Sequence, residues 1–227
     1  MKRSFINEII ADAEEFAQER GFYLPKFAFW DPEEWRVRKN EVEQIVDRGL
    51  GWDITDFGIG NFKERGLVLF TMRNGHPDNL QSGVGQTYAE KMLVVDVDQV
   101  TPMHFHWVKT EDIINRGGGL LAVQLYQATE DDQLDTAEVV VRVDGLARRV
   151  PAGATVILEP GESITLTPRL YHAFWGLEQR VLVGEVSKIN DDAHDNRFYE
   201  PIGRFPAIEE DAEPQRLLVG DYANYLT

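Results

Sequence analysis

Pro102-Met103-His104-Phe105-His106-Trp107-Val108-Lys109-Thr110-Glu111 is the stretch around which this 227-residue chain is organised. Side chains at i and i+2 of a β-strand project to one face, so His104 and His106 stand side by side. Glu111 follows a turn, which can swing its carboxylate back towards the two imidazoles. The chain has five histidines, His76, His104, His106, His172 and His194. His172 lies in a second short aromatic strand candidate, Leu170–Gly176. A lone strand histidine is usually a surface or satisfied core residue. Three of five in two apolar strands, with a glutamate at a workable offset, form a ligand set instead. Three imidazoles and one carboxylate suit a divalent transition metal such as Mn, Fe, Co, Ni or Zn. They leave open positions on an octahedral ion, so the expected site does chemistry rather than only holding the fold together.

The spacing H-x-H-x4-E, with Gly117 and Gly118 downstream, resembles the first motif of the cupin family. In place of the family's second motif, Pro168 precedes His172 by four positions with no glycine between them.

Composition limits the alternatives. The formal net charge of −16 disfavours nucleic acid and an anionic membrane surface as partners. With no cysteine, disulfides, thiolate ligands and a cysteine nucleophile are excluded. Met1-Lys2-Arg3-Ser4 runs into an acidic amphipathic segment rather than the apolar core of a signal peptide, and no apolar run reaches the length of a membrane span. A soluble cytoplasmic protein is the expectation.

Residues 4–20 place Phe5, Ile6, Ile9, Ile10, Ala13, Phe16 and Ala17 at helical spacing, with Ser4 as N-cap and Gly21 as stop. A second helix starts at Asp31-Pro32-Glu33-Glu34, carries Trp35, Val42, Ile45 and Val46 on its core face, and ends at Gly49 and Gly51. Trp30 and Trp52 flank it as packing anchors. Residues 53–62 read as a glycine-punctuated loop that lacks a dinucleotide fingerprint. After Gly66 the texture turns to short strands: 67–72, 91–97, the histidine strand, 120–127, 138–143, 163–167 and 181–186. Asp144-Gly145 is a hairpin signal. The fold class is all-β, a double-sheet jelly-roll barrel over 66–188, flanked by helices in 4–52 and by a tail, 189–227, packed on it. All of this is expected to form one domain.

Two charged groups near the ligands are candidate catalysts. Lys109 sits between His106 and Glu111, where it would stabilise an oxyanion or exchange a proton if burial lowers its pKa. Glu185 is an acid in an otherwise apolar run and needs a partner or a function. Lys91 heads a neighbouring strand.

The segments Lys109–Gly119, Asp195-Asn196-Arg197-Phe198 and Phe27-Ala28-Phe29-Trp30 together resemble bacterial D-lyxose isomerases, and the resemblance covers essentially the whole chain. It implies a cupin-type double-stranded β-helix and a manganese-dependent aldose–ketose isomerase acting on D-lyxose with D-xylulose and on D-mannose with D-fructose. It also implies His104, His106, Glu111 and His172 as metal ligands. Lys91, Asp195 and Arg197 are the candidate sugar-hydroxyl contacts. A homodimer is expected, because cupin barrels often pair through an edge strand. The competing readings are a metal-dependent dioxygenase on the same fold, which would favour a more apolar pocket, and a non-catalytic sugar-binding cupin, for which no output domain is visible.

Overall fold

A computed structural model describes residues 1–192 and 194–226. The strands, in chain order, are β1 (Gly51–Thr55), β2 (Leu67–Asn74), β3 (Tyr88–Val95), β4 (Thr101–His106), β5 (Glu111–Gln127), β6 (Val139–Val143), β7 (Leu146–Val150), β8 (Thr155–Leu158), β9 (Ser163–Leu166), β10 (Leu170–Lys188) and β11 (Asn196–Phe198). The longest path of paired strands is β1-β2-β3-β10-β5-β9-β6-β7, with β4 and β11 added beside β10 and β8 beside β5.

The two long strands tie the layers together. Leu170–Leu177 of β10 pairs with Leu120–Gln127 of β5, and Val181–Ser187 pairs with Glu111–Gly118. The register shifts between these halves. Gly118 makes the shift feasible: its φ is +105°, and a Cβ there would fall 2.1 Å from the Arg180 carbonyl oxygen. Each half then joins different neighbours. The first half of β5 meets β9, the second meets β8. The separate strand segments expected at 120–127 and 181–186 are thus the ends of two longer bent strands.

Residues 67–70 of β2 and 92–95 of β3 read as unbroken apolar runs because both faces are covered. Leu67, Leu69, Leu93 and Val95 point into the barrel with Leu121, Val123, Val141 and Ile164. Val68, Phe70, Met92 and Val94 point outward and are covered by Ile6, Ile10, Ala13 and Ala17 of α1 (Arg3–Glu19). The Asp144-Gly145 turn joins β6 and β7 with both φ angles positive, as a two-residue hairpin requires.

Four local expectations change. Ser4 is not the N-cap: α1 begins at Arg3, and the Ser4 amide and hydroxyl donate to Asp211 in the tail at 2.9 and 2.8 Å. The helix at Asp31 has its expected capping box with Glu34, but stops as α2 (Pro32–Val37); a polar turn separates it from α3 (Glu43–Asp47). That break buries Trp35 and Val42 with Leu217 and Tyr222 and leaves Val46 exposed. Finally, residues 51–55 are strand rather than helix end and loop, because β1 completes the sheet edge beside β2, with Trp52 buried and donating to the Ala28 carbonyl. β1 and β11 extend the strands beyond 66–188.

The tail is tied to the first turn of α1. Arg3 is buried, and its guanidinium takes both oxygens of Asp221 at 2.8 and 2.9 Å and both oxygens of Glu210 at 2.7 and 2.8 Å. Removing one member of a buried pair strands the other charge. Arg3→Met is therefore expected to lower unfolding free energy by about 3–5 kcal/mol, read from urea denaturation. An unchanged midpoint would show that the Arg3 ion pairs with Asp221 and Glu210 contribute nothing to stability.

Candidate metal centre and its acidic surround

β4 and β10 lie side by side with His104 directly opposite His172. Period-2 alternation puts His106 on the same face as His104, while Phe105 points outward and stacks on Trp107 and Tyr171. Ligand atoms of His104, His106 and His172 all lie within 4.8 Å of one another. The three residues are buried.

Two imidazoles are locked in one orientation. His104 Nδ1 lies 2.7 Å from the Pro102 carbonyl and His172 Nδ1 lies 3.0 Å from the Leu170 carbonyl. A ring nitrogen facing a carbonyl must donate, so each ring carries its proton on Nδ1 and turns the Nε2 lone pair inward. His172 Nε2 is buried with no hydrogen-bond partner. Burial holds the His104 pKa well below normal, reinforced by His172 and His106. Burial also lowers that of His106, reinforced by Lys109. Oriented imidazoles, with the pKa values of His104 and His106 held low by burial, fit a divalent ion.

The turn 107–110 brings in Glu111. Its amides are held from the tail: Asp195 accepts from Val108 N at 2.8 Å and Lys109 N at 3.0 Å. The Glu111 carboxylate comes to rest 3.3 Å from His106 Nε2 and 3.2 Å from His172 Nε2. Its other oxygen takes the Lys109 ammonium at 2.7 Å. Lys109 also reaches Glu185 at 2.9 Å. Lys91, opposite Glu185 in the β3–β10 register, lies 3.4 Å from it and bonds Asn190. The alternation that sends Leu93 and Val95 into the barrel sends Lys91 there too. Asp192 lies 3.7 Å from Lys91, and Arg204 bridges Asp192 and Asp53 at 3.3 and 2.6 Å.

These contacts set the charge states. Burial works to lower the Lys109 pKa, but Glu111, Glu185 and Asp192 outweigh it and raise it above the ordinary lysine value. Lys109 is thus a held cation, not the free amine that burial alone would make. Burial works to raise the Glu111 pKa, and Lys109 and His106 more than reverse this, leaving it well below the carboxylate range. Asp192 is held ionised in the same way by Lys91, Arg204 and Lys109.

A cavity opens over these groups, walled by Phe57, Leu67, Leu69, Phe174 and Phe198. Its empty space, mouth included, is about 450 Å³. Lys91, Lys109, Glu111 and Glu185 line it with His104 and His106. Two expected sugar contacts do not. Asp195 spends its carboxylate on the 107–110 turn, and Arg197 lies opposite outward-facing Phe105 in the β11–β4 register. The same register turns Asn196 and Phe198 inward. The tail contributes Asp192, Asn196, Phe198 and Arg204 to the lining. Only the period-2 pattern Asn196-x-Phe198 was available in the sequence to signal any of them.

The sequence model for D-lyxose isomerase matches residues 1–222. The chain belongs to the D-lyxose isomerase family. It is 47% identical to the D-lyxose/D-mannose isomerase of Serratia proteamaculans over 100% of both chains. It is 45% identical to that of Escherichia coli O157:H7, over 99% of this chain and 100% of the other. Membership makes it a sugar isomerase. Among solved structures it is similar to the L-ribose isomerase of Cellulomonas parahominis with L-ribose, at TM-score 0.61 and 19% identity, covering 92% of this chain and 98% of that one. That likeness supports the barrel expected from the strand spacing.

For this family member the geometry separates Asp195 from Arg197. Asp195→Ala removes two charge-assisted bonds to the turn and is expected to cost about 1.5–3 kcal/mol of stability. Arg197→Ala is expected to change stability by less than about 0.5 kcal/mol and to leave KM unaltered. A raised KM in Arg197→Ala would put its guanidinium on the sugar.

Proposed function

We propose that this chain interconverts D-lyxose with D-xylulose, and D-mannose with D-fructose, using Mn²⁺ held by His104, His106, His172 and Glu111. The observation that carries the reading is three buried imidazoles whose ligand atoms lie within 4.8 Å of one another, with His106 Nε2 and His172 Nε2 converging on Glu111, set beside a lysine–glutamate pair rather than in a purely apolar pocket. Co²⁺, Fe²⁺, Ni²⁺ or Zn²⁺ would suit the same donors. When bound, the divalent ion supplies Lewis-acid polarisation of the sugar's carbonyl.

The remaining work falls to the chain. Lys109, protonated and fixed between Glu111 and Glu185, donates to the oxygen on which negative charge develops. Glu185 takes the proton from C2 of the open-chain aldose, giving an enediol, and returns it to C1. The C2 oxygen loses its proton and the C1 oxygen gains one, so the reaction is redox neutral and needs no further cofactor. Lys91 neutralises Glu185 from its far side and offers its ammonium to a sugar hydroxyl. The apolar wall excludes water from the enediol.

We further place the enzyme in the cytoplasm as a homodimer. Among the described residues no helix is long and apolar enough to cross a membrane.

The test is a sugar panel with the chelated and manganese-reloaded protein, scored for ketose. D-Lyxose is expected to yield D-xylulose only after reloading. Chelation is also expected to lower Tm, because an ion bound by the native state alone stabilises it by mass action. Full activity without any divalent ion would overturn the metal-dependent reading.

A further inference from the structure

Among the described residues, four buried side-chain polar atoms have no hydrogen-bond partner: His106 Nδ1, His172 Nε2, Thr101 Oγ1 and Arg204 Nη1. The histidines belong to the metal centre. Thr101 and Arg204 hold no place in it or in the proton transfer. Yet both line the cavity above it.

Strict alternation from His104 and His106 would turn Thr101 outward. It faces in because β4 carries an extra residue: His172 is opposite His104, but Phe174 is opposite Thr101, so two steps on β10 match three on β4. The bulge sets a buried hydroxyl on the cavity wall beside Phe174, roughly 7–10 Å along the strand from His104. Arg204 reaches the same cavity from the tail. Asp53 and Asp192 both accept from its Nη2, which fixes the guanidinium plane and leaves Nη1 unmatched.

A native interior rarely leaves a donor unmatched. Two unmatched groups lining one cavity therefore describe what would fit there. The hydroxyl of Thr101 can donate or accept, whereas Arg204 can only donate. Their joint partner must offer oxygen lone pairs and tolerate an apolar wall. A sugar held at its carbonyl end beside His104 and His106 would leave its further hydroxyls to meet the rest of this lining.

We propose that Thr101 and Arg204 bind the hydroxyls of the sugar remote from the reacting carbons and so set which sugars are accepted. This assignment rests on the isomerase reading of the site.

The test uses the manganese-loaded enzyme and D-arabinitol, the alditol of D-lyxose, which cannot isomerise. Binding is read by calorimetry. Thr101→Val keeps the side-chain shape and is expected to weaken binding roughly 3- to 10-fold, the scale of one neutral hydrogen bond. Arg204→Lys keeps the charge beside Asp53 and Asp192 and is expected to weaken it roughly 10- to 100-fold. Metal content should match the wild type in both. With 4-deoxy- and 5-deoxy-D-lyxose as substrates, at least one analogue should raise the wild-type KM and leave no further loss in one variant. Undiminished D-arabinitol binding in both variants, or an equal loss on every deoxy sugar, overturns the assignment. If Arg204→Lys does not fold, Thr101→Val decides it. Ketose formation from D-lyxose by the wild type is measured in parallel. Its absence counts against the proposed reaction, whereas failure of these variants to differ counts against the two anchors alone.

Discussion

Replacing His106 with alanine is expected to remove metal and activity together. His106 Nε2 shares the Glu111 carboxylate with His172, so its loss takes away one donor and loosens a second. Loss of a partner one shell further out typically costs 10- to 100-fold in metal affinity, so loss of a ligand itself should exceed that. Elemental analysis after gel filtration should find the variant largely empty, with turnover falling in proportion. Full retention of manganese by His106→Ala would remove this residue from the ligand set. The fold should survive, because the ring's Nδ1 makes no hydrogen bond that alanine would break.

The second large effect separates chemistry from metal binding. Glu185→Gln keeps the shape of the side chain but not its basicity, and Lys109→Met keeps its length but not its charge. Each should leave metal content near normal and lower turnover by roughly 100-fold or more, the usual scale for a lost acid–base group. The two are not independent, since Lys109 Nζ lies 2.9 Å from Glu185 and 2.7 Å from Glu111. Their combined loss should therefore fall short of the product of the single losses. Isomerisation in heavy water should carry solvent deuterium into the ketose. Near-normal turnover in both variants would leave neither residue a chemical role, and Asp192 would be the next carboxylate to examine.

The metal face was legible in the sequence because it depends on the shortest-range rule available, the two-residue repeat of a strand. His104 and His106 share a face for that reason alone, and the flanking aromatic residues announce burial. Glu185 stood out as an acid among valines, and the β3–β10 register then paired it with Lys91. The cavity's far wall was not legible. Thr101 turns inward only through a bulge, and nothing in Thr-Pro-Met-His marks an extra residue there. Arg197 stands in a recognisable motif, yet the pairing of β11 with β4 sets it opposite outward-facing Phe105, whereas nothing around Arg204 marks it in the sequence. The tail has no periodic pattern, so its inward residues are defined only by the strands they meet. The break between α2 and α3 was equally hidden: apolar spacing alone joins Trp35, Val42 and Ile45 into one helix.

The direct opposition of His104 and His172 has a consequence for how the enzyme comes into being. Sixty-eight positions separate these two neighbours, and Asp195, which holds the turn carrying Lys109, is supplied later still. No partly synthesised chain can assemble the site, however well its early strands have paired. Contacts between such distant residues form late and slowly, after much loop entropy has been lost. An ion held by this site would therefore enter a barrel that is already closed on its correct register. With the proposed manganese supplied, metal capture during refolding should lag behind the recovery of β-structure and keep step with the return of turnover, so that the metal would act as a clock for the last stage of folding.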